Sequence, residues 1–206
     1  EKDAAECMSQ FVSIPHELAF NITPDVAIQF FESGHMLGSS AIFITFKEGR
    51  KMRRLCYTGD VGRYNKRILP DPKPFPAADY IITESTYGDR LHATLDEADK
   101  ELMLVVKDAC AKRRGKLLIP SFAIGRTQEI VYALHRLKLS GDLPDIDCFV
   151  DSPLACSATN IYRLHDEDFN TDIREFMEKT KDPFGFDNLT YVRTIDDSKR
   201  LNEYNR

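Results

Sequence analysis

Two side chains capable of metal chemistry stand out because each lies between glycines at the end of an alternating apolar run. His35 sits in "FFESGHMLGSS" (30 to 40) and Asp60 in "YTGDVG" (57 to 62). An imidazole can ligate a metal ion through either ring nitrogen, and a carboxylate has two oxygens with which to bridge two ions. Two ligands are at best half a site, since structural zinc takes about four protein ligands and catalytic zinc at least three. A lone loop histidine is commonly a satisfied polar residue, and "TGD" is ordinary turn chemistry. Further polar residues follow other strand-like runs: Glu84, Ser85 and Thr86; then Ser121 and Gly125-Arg126; then Asp151-Ser152. In open α/β sheets the loops at the carboxyl ends of strands face the ligand. A glycine leading into a helix at Arg126 offers free backbone N–H groups and a guanidinium, a combination suited to phosphate. Pairing of Arg126 with a nearby carboxylate is the competing use.

The elements that must position these residues change character once along the chain. Up to about Glu84 the apolar residues alternate as in strands: Val26, Ile28 and Phe30, then Ile42, Ile44 and Phe46, then "RRLCYTG" and "YIITE". Gly49 supplies a hairpin turn, and the proline-rich "PDPKPFPAAD" (70 to 79) cannot continue a helix or central strand. After about Arg90 the period becomes helical. Thr94 and Glu97 have capping-box spacing, Leu102, Val105, Val106 and Ala109 share a face, and Gly115 is expected to end that helix. "KLLIP" (116 to 120) reads as a buried strand. A helix follows with Ile130, Leu134 and Leu137 on one side, then the strand "IDCFV" and a helix near Pro153 capped by Asp151 or Ser152. A short strand and a polar helix close the chain after Thr190. This βαβα order predicts a parallel sheet covered by helices.

The chain has 206 residues, 42% hydrophobic and 30% charged, with no apolar run near the ~18 residues that span a bilayer. It therefore reads as globular, without a membrane partner. The N-terminus lacks a signal-peptide pattern, and five widely spaced cysteines suggest reduced core thiols, so a cytoplasmic location is expected. A net charge of −5 argues against whole-surface attraction to nucleic acid. Local basic runs, "KEGRKMRR" (47 to 54) and "KRRGK" (112 to 116), leave room for patches.

"GHMLGSSAIFI", "YTGDVG", "ESTYGDRLH", "IPSFAIGRTQE" and "DSPLA" occur together and in that order. In this the chain resembles the β-CASP branch of the metallo-β-lactamase superfamily, from about Asp25 to about Tyr191. The branch includes ribonuclease J and the endonuclease subunit of the cleavage and polyadenylation machinery. The resemblance implies part of an αββα sandwich over residues 1–90 and a β-CASP cap domain with a helix-covered parallel sheet over 91–206. It implies that His35 is a metal ligand and that Asp60 bridges two metals. Glu84 would hydrogen-bond a histidine that protonates the leaving group. Ser85, Thr86, Ser121, Arg126 and Ser152 are candidates for contacting substrate.

The activity so implied is hydrolysis of RNA phosphodiesters, with single-stranded RNA preferred. Two zinc ions would lower the pKa of a bound water to about 7. RNA is favoured because the first cap motif reads Glu-Ser-Thr-Tyr-Gly, whereas the Artemis-like DNA branch tends to carry aspartate there. A DNA nuclease, an inactive β-CASP scaffold and a small-molecule hydrolase of the glyoxalase II kind are the alternatives; the last lacks the inserted cap. The family's His-x-His-x-Asp-His cluster has no counterpart, since no two of the five histidines are two apart. The natural protein is expected to extend beyond both ends of this chain, and the 206 residues alone to hold zinc poorly and cleave nothing. A homo-oligomer or an RNA-processing complex is compatible with the resemblance.

Overall fold

The computed structural model describes residues 2–91 and 93–204; Glu1, His92, Asn205 and Arg206 lie outside the described residues, His92 with them from the "ESTYGDRLH" motif. The expected mixed α/β class is found. The chain forms two compact units, one of residues 1–64 and 71–88, the other of 65–70 and 89–206.

The first unit opens with a short helix α1 (Lys2–Met8) and is built on one five-stranded sheet, β1 (Phe20–Thr23), β2 (Val26–Glu32), β3 (Ser40–Glu48), β4 (Lys51–Tyr57) and β5 (Tyr80–Ile82), paired in that order. The first four strands run antiparallel to their neighbours, and β5 joins β4 in parallel. The face read as apolar from the sequence, carrying Ile42, Ile44 and Phe46, is only half-buried, and the buried face of β3 is the opposite one. Ala41 and Phe43 on β3 and Cys56 on β4 are buried, and the Phe31 ring meets Phe43 edge-on at 4.9 Å. Burial raises the Cys56 thiol pKa, consistent with an inert core thiol. Cys7 departs from the core-thiol expectation and is exposed; all five cysteines are free.

Asp79 sets the register of the parallel pair. Its backbone N–H donates to the Arg54 carbonyl at 2.9 Å. Its carboxylate accepts the Arg54 N–H at 2.8 Å and the Arg53 guanidinium at 3.2 Å. Those bonds, the Arg54 amide foremost, hold the Asp79 carboxyl below its usual range. Leu55 then pairs with Tyr80 and Tyr57 with Ile82. The basic run at 47–54 occupies the hairpin end of β3 and β4. It is partly neutralised by Asp25, Glu48 and Asp79. At ~3.4 Å per residue it lies about 20 Å from the loops carrying His35 and Asp60.

The second unit holds α2 (Leu95–Val106), α3 (Arg126–Leu139), α4 (Pro153–Leu164), α5 (Thr171–Thr180) and α6 (Ile195–Glu203), with β6 (Cys148–Asp151) and β7 (Leu189–Val192) paired in parallel. The Thr94–Glu97 capping box forms as expected, and Ser152, not Asp151, caps α4 by accepting the Ala155 N–H at 3.1 Å. Val106, Leu134, Leu143 and Ile146 make one core cluster, with Leu102, Ile130 and Leu137 against it. Val105 is exposed, so the predicted apolar face of α2 is narrower than the period suggested.

Two local readings are corrected. The helix does not stop at Gly115 by a glycine turn: Lys107–Lys112 continues it in wider π-helical form, and Arg114 takes the left-handed conformation at φ 50°. Lys116–Pro120 is not a buried strand, and Leu118 is 85% exposed. Only Leu117 of that run packs on the core, while Lys116 Nζ donates to the Leu201 and Asn202 carbonyls at the carboxyl end of α6. An apolar run without a partner strand cannot be told from an extended segment by composition. Among the described residues of the second unit, the parallel sheet is the β6–β7 pair.

Tyr191 fastens β7 to the second unit's core. Its hydroxyl donates to the Phe184 carbonyl at 2.7 Å, and burial pushes its pKa up to about 12. Since the folded pKa exceeds the ordinary value near 10, this stabilisation is complete below pH ~10 and lost as pH rises toward 12. The thermal stability advantage of the natural protein over Tyr191→Phe should therefore be constant from pH 7 to 9 and shrink between pH 10 and 12. A gap unchanged across that range would contradict the assignment.

Candidate functional site

The loops that follow β2 and β4 emerge at the same end of the sheet, because the two strands flank β3 and run the same way. Their backbones touch. Gly62 N–H donates to the Ser33 carbonyl at 2.8 Å, and a Cβ built on Gly62 would lie 1.9 Å from the Gly34 carbonyl oxygen and 2.8 Å from the His35 nitrogen. No side chain fits there. Gly34 itself turns the chain at φ 63°, a conformation that costs glycine little.

The His35 loop is braced internally by residues the sequence reading passed over. Ser39 Oγ accepts the N–H groups of His35 at 3.0 Å and Met36 at 3.1 Å, and the buried Ser33 hydroxyl at 2.9 Å. Glu32 Oε1 accepts the Gly34 N–H at 2.7 Å. A serine four residues after the histidine was the available signal. On the other side, the buried Thr58 donates its hydroxyl to the Gly59 carbonyl and to Thr83 Oγ1, tying the Asp60 loop to the end of β5.

These restraints bring His35 Nε2 to 3.7 Å from Asp60 Oδ2. That is too long for a hydrogen bond. Two donors on one tetrahedral zinc, each at ~2.0–2.2 Å, stand roughly 3.4 Å apart, within a few tenths of an ångström of the observed separation. His35 is about two-thirds covered, whereas the Asp60 carboxylate is mostly exposed. Both line an open cleft of about 290 Å³, with Met36 and Ser40 on its wall. His16 Nε2 lies 2.8 Å from Ser40 Oγ, placing a second imidazole beside the cleft. Glu84 also belongs to this unit; its Oε1 accepts the Val61 N–H at 2.7 Å.

Ser85 and Thr86 follow β5 in an exposed turn, where the Ser85 carbonyl accepts the Gly88 N–H at 3.0 Å. The other candidates lie in the second unit. Ser121 Oγ is 2.8 Å from Thr127 Oγ1, and Ser152 is the α4 cap, so both hydroxyls already hold structure. Gly125 precedes α3 without a side-chain cap, but Arg126 pairs with Glu129 Oε2 at 3.0 Å. A further grouping of His165, Glu167 and Asp168 is exposed, as acidic surface clusters commonly are.

Residues 127–206 match the Beta-Casp domain. The chain carries a Beta-Casp domain. Similar proteins include Ribonuclease TTHA0252 of Thermus thermophilus, 35% identical over 177 residues, covering 86% of this chain and 39% of that protein. Transcription termination factor FttA of Methanosarcina mazei is 32% identical over 185 residues, 87% of this chain and 28% of that protein. An RNase J-like protein of Methanocaldococcus jannaschii is 30% identical over 187 residues, 90% and 43% of the two chains. The chain thus spans less than half the length of these relatives. The resemblance to the β-CASP branch of the metallo-β-lactamase superfamily is borne out by the domain and by these relatives together. Among the described residues, no helix is long and apolar enough to cross a membrane.

The Gly62 contact gives a direct test. Gly62→Ala should destabilise the intact protein by ~2–3 kcal/mol or more, because backbone atoms cannot yield as a side chain can. Gly38→Ala, with open space around it but φ 79°, should cost only ~1–2 kcal/mol. Chemical denaturation of both variants checks the order; equal losses would show that the close approach does not constrain the loops.

Proposed function

We propose that this chain is the central part of a metal-dependent nuclease acting on RNA, with His35 and Asp60 forming one wall of a dinuclear zinc site. The observation that carries the reading is the 3.7 Å approach of His35 Nε2 to Asp60 Oδ2 at two braced loop tips. The similarity to proteins named as a ribonuclease and as RNase J-like supports the same direction. In this reading residues 1–90 are part of a metallo-β-lactamase domain and 91–206 its β-CASP cap. The remaining ligands, among them those of a His-x-His-x-Asp-His cluster, come from polypeptide outside these 206 residues. The exposure of all three residues of β5 fits that view, since strands in parallel pairing are ordinarily covered on both faces.

Two zinc ions would supply Lewis-acid polarisation of the phosphodiester and a water of lowered pKa. The chain's own residues do the rest. His35 and Asp60 present a nitrogen and an oxygen to the same point. Glu84 is a carboxylate placed to hold the imidazole of an acid that protonates the leaving oxygen. Arg126 is the cap-side candidate for an RNA phosphate and would exchange Glu129 for it, a swap between two anions at an exposed guanidinium. Ser85 and Thr86 offer exposed hydroxyls to the strand, while Ser121 and Ser152 act chiefly by shaping the loops they already hold. RNA is preferred over DNA on the Glu-Ser-Thr-Tyr-Gly sequence at 84–88, and a cytoplasmic location goes with that substrate.

Matched RNA and DNA single strands offered to the intact protein test the reading. RNA should be cleaved faster, and both His35→Ala and Asp60→Asn should lower kcat/KM by more than the ~10–100-fold typical of groups one shell away from a metal. Faster DNA cleavage would overturn the substrate assignment. Unimpaired cleavage by either variant would overturn the metal assignment.

A further inference from the structure

Resting on that metal-site reading, we propose that Glu84 is also the positioning residue for Asp60, acting through the backbone N–H of Val61. The Asp60 carboxylate is exposed, and among the described residues its recorded polar contact is His35 at 3.7 Å. Its direction must therefore come from its backbone. Two consecutive amides just after it are pinned from opposite sides: Val61 N–H by Glu84 Oε1 at 2.7 Å, and Gly62 N–H by the Ser33 carbonyl at 2.8 Å. The first ties the loop to the segment that follows the end of β5. Without it, the loop's ties to the β5 side are those of Thr58, two residues before Asp60.

The geometry follows from the parallel pairing of β4 with β5. Tyr57 is level with Ile82, Thr58 N–H donates to the Ile82 carbonyl at 3.0 Å, and Thr58 Oγ1 meets Thr83 Oγ1 at 3.2 Å. The two chains thus leave the sheet side by side and in the same direction. Glu84, the next residue, reaches forward along the departing loop to Val61. An antiparallel neighbour would have placed its carboxyl end at the hairpin side of the sheet.

This role differs from service to a leaving-group acid, and the two make different demands on the side chain. Holding Val61 needs an acceptor oxygen at the end of a glutamate-length chain, with or without charge. Supporting a protonated imidazole needs the charge. Glu84→Gln keeps the acceptor and the reach, Glu84→Asp keeps the charge but is one methylene too short, and Glu84→Ala lacks both.

The experiment measures two things in the intact protein and these three variants: amide hydrogen exchange at Val61, and zinc affinity by competition with a chelator. Glu84→Gln should match the natural protein within about threefold in both. Glu84→Asp and Glu84→Ala should exchange Val61 at least about tenfold faster and bind zinc about 10–100-fold more weakly, the usual cost of removing an outer-shell partner. Unchanged exchange and zinc affinity in Glu84→Asp or Glu84→Ala would overturn the proposal. So would a Glu84→Gln variant that loses zinc as the alanine does, because charge and not the hydrogen bond would then be responsible. If the natural protein binds no zinc, the metal reading fails, and Val61 exchange alone decides whether Glu84 holds the loop. Should the alanine variant not fold, the aspartate and glutamine pair carries the comparison.

Discussion

The candidate site depends on one steric fact: two loop backbones touch where neither Gly34 nor Gly62 has a side chain. A methyl group on Gly62 would occupy the volume of the Gly34 carbonyl. Contacts this close cannot be traded against a flexible neighbour, so the two loops meet at a fixed backbone contact. That matters for a prospective metal site, because donor atoms must sit within a few tenths of an ångström of fixed distances. His35 and Asp60 inherit their 3.7 Å separation from this contact, and the hydrogen bonds of Ser39, Glu32 and Thr58 keep each loop from drifting once the contact is made.

The sheet contributes by direction as much as by burial. β2 and β4 both end at one edge of the first unit because an antiparallel strand lies between them, and β5 ends there because it pairs in parallel. The three loops that carry His35, Asp60 and Glu84 are therefore gathered at one end, while the hairpin side collects the basic run at 47–54. Asp79 makes this arrangement specific. A shift of one residue in the β4–β5 register would turn Glu84 to the opposite face, and the three hydrogen bonds from Asp79 to Arg53 and Arg54 oppose such a shift.

Much of this was legible in the sequence, for stated physical reasons. Period-two alternation revealed β2, β3 and β4, the Thr94–Glu97 spacing revealed the start of α2, and glycines around His35 and Asp60 marked the loops that carry them. What was hidden depended on partners distant in the chain. Lys116–Pro120 has strand composition but no strand beside it, Arg114 takes a conformation usually left to glycine, and Val105 points outward despite its helical phase. Ser121, Arg126 and Ser152 were chosen as polar residues after strands; the folded chain employs two as structural hydroxyls and the third in an ion pair. Asp79 looks unremarkable as a letter, and only the register reveals what it holds.

The central claim is that the imidazole of His35 and the carboxylate of Asp60 meet at a single metal ion. Anomalous diffraction at the zinc absorption edge from crystals of the intact, zinc-loaded protein tests it most directly. The account predicts a zinc peak ~2.0–2.2 Å from His35 Nε2 and from an Asp60 oxygen, with the loop backbones unmoved. Zinc bound elsewhere, with these two side chains left uncoordinated, would contradict it.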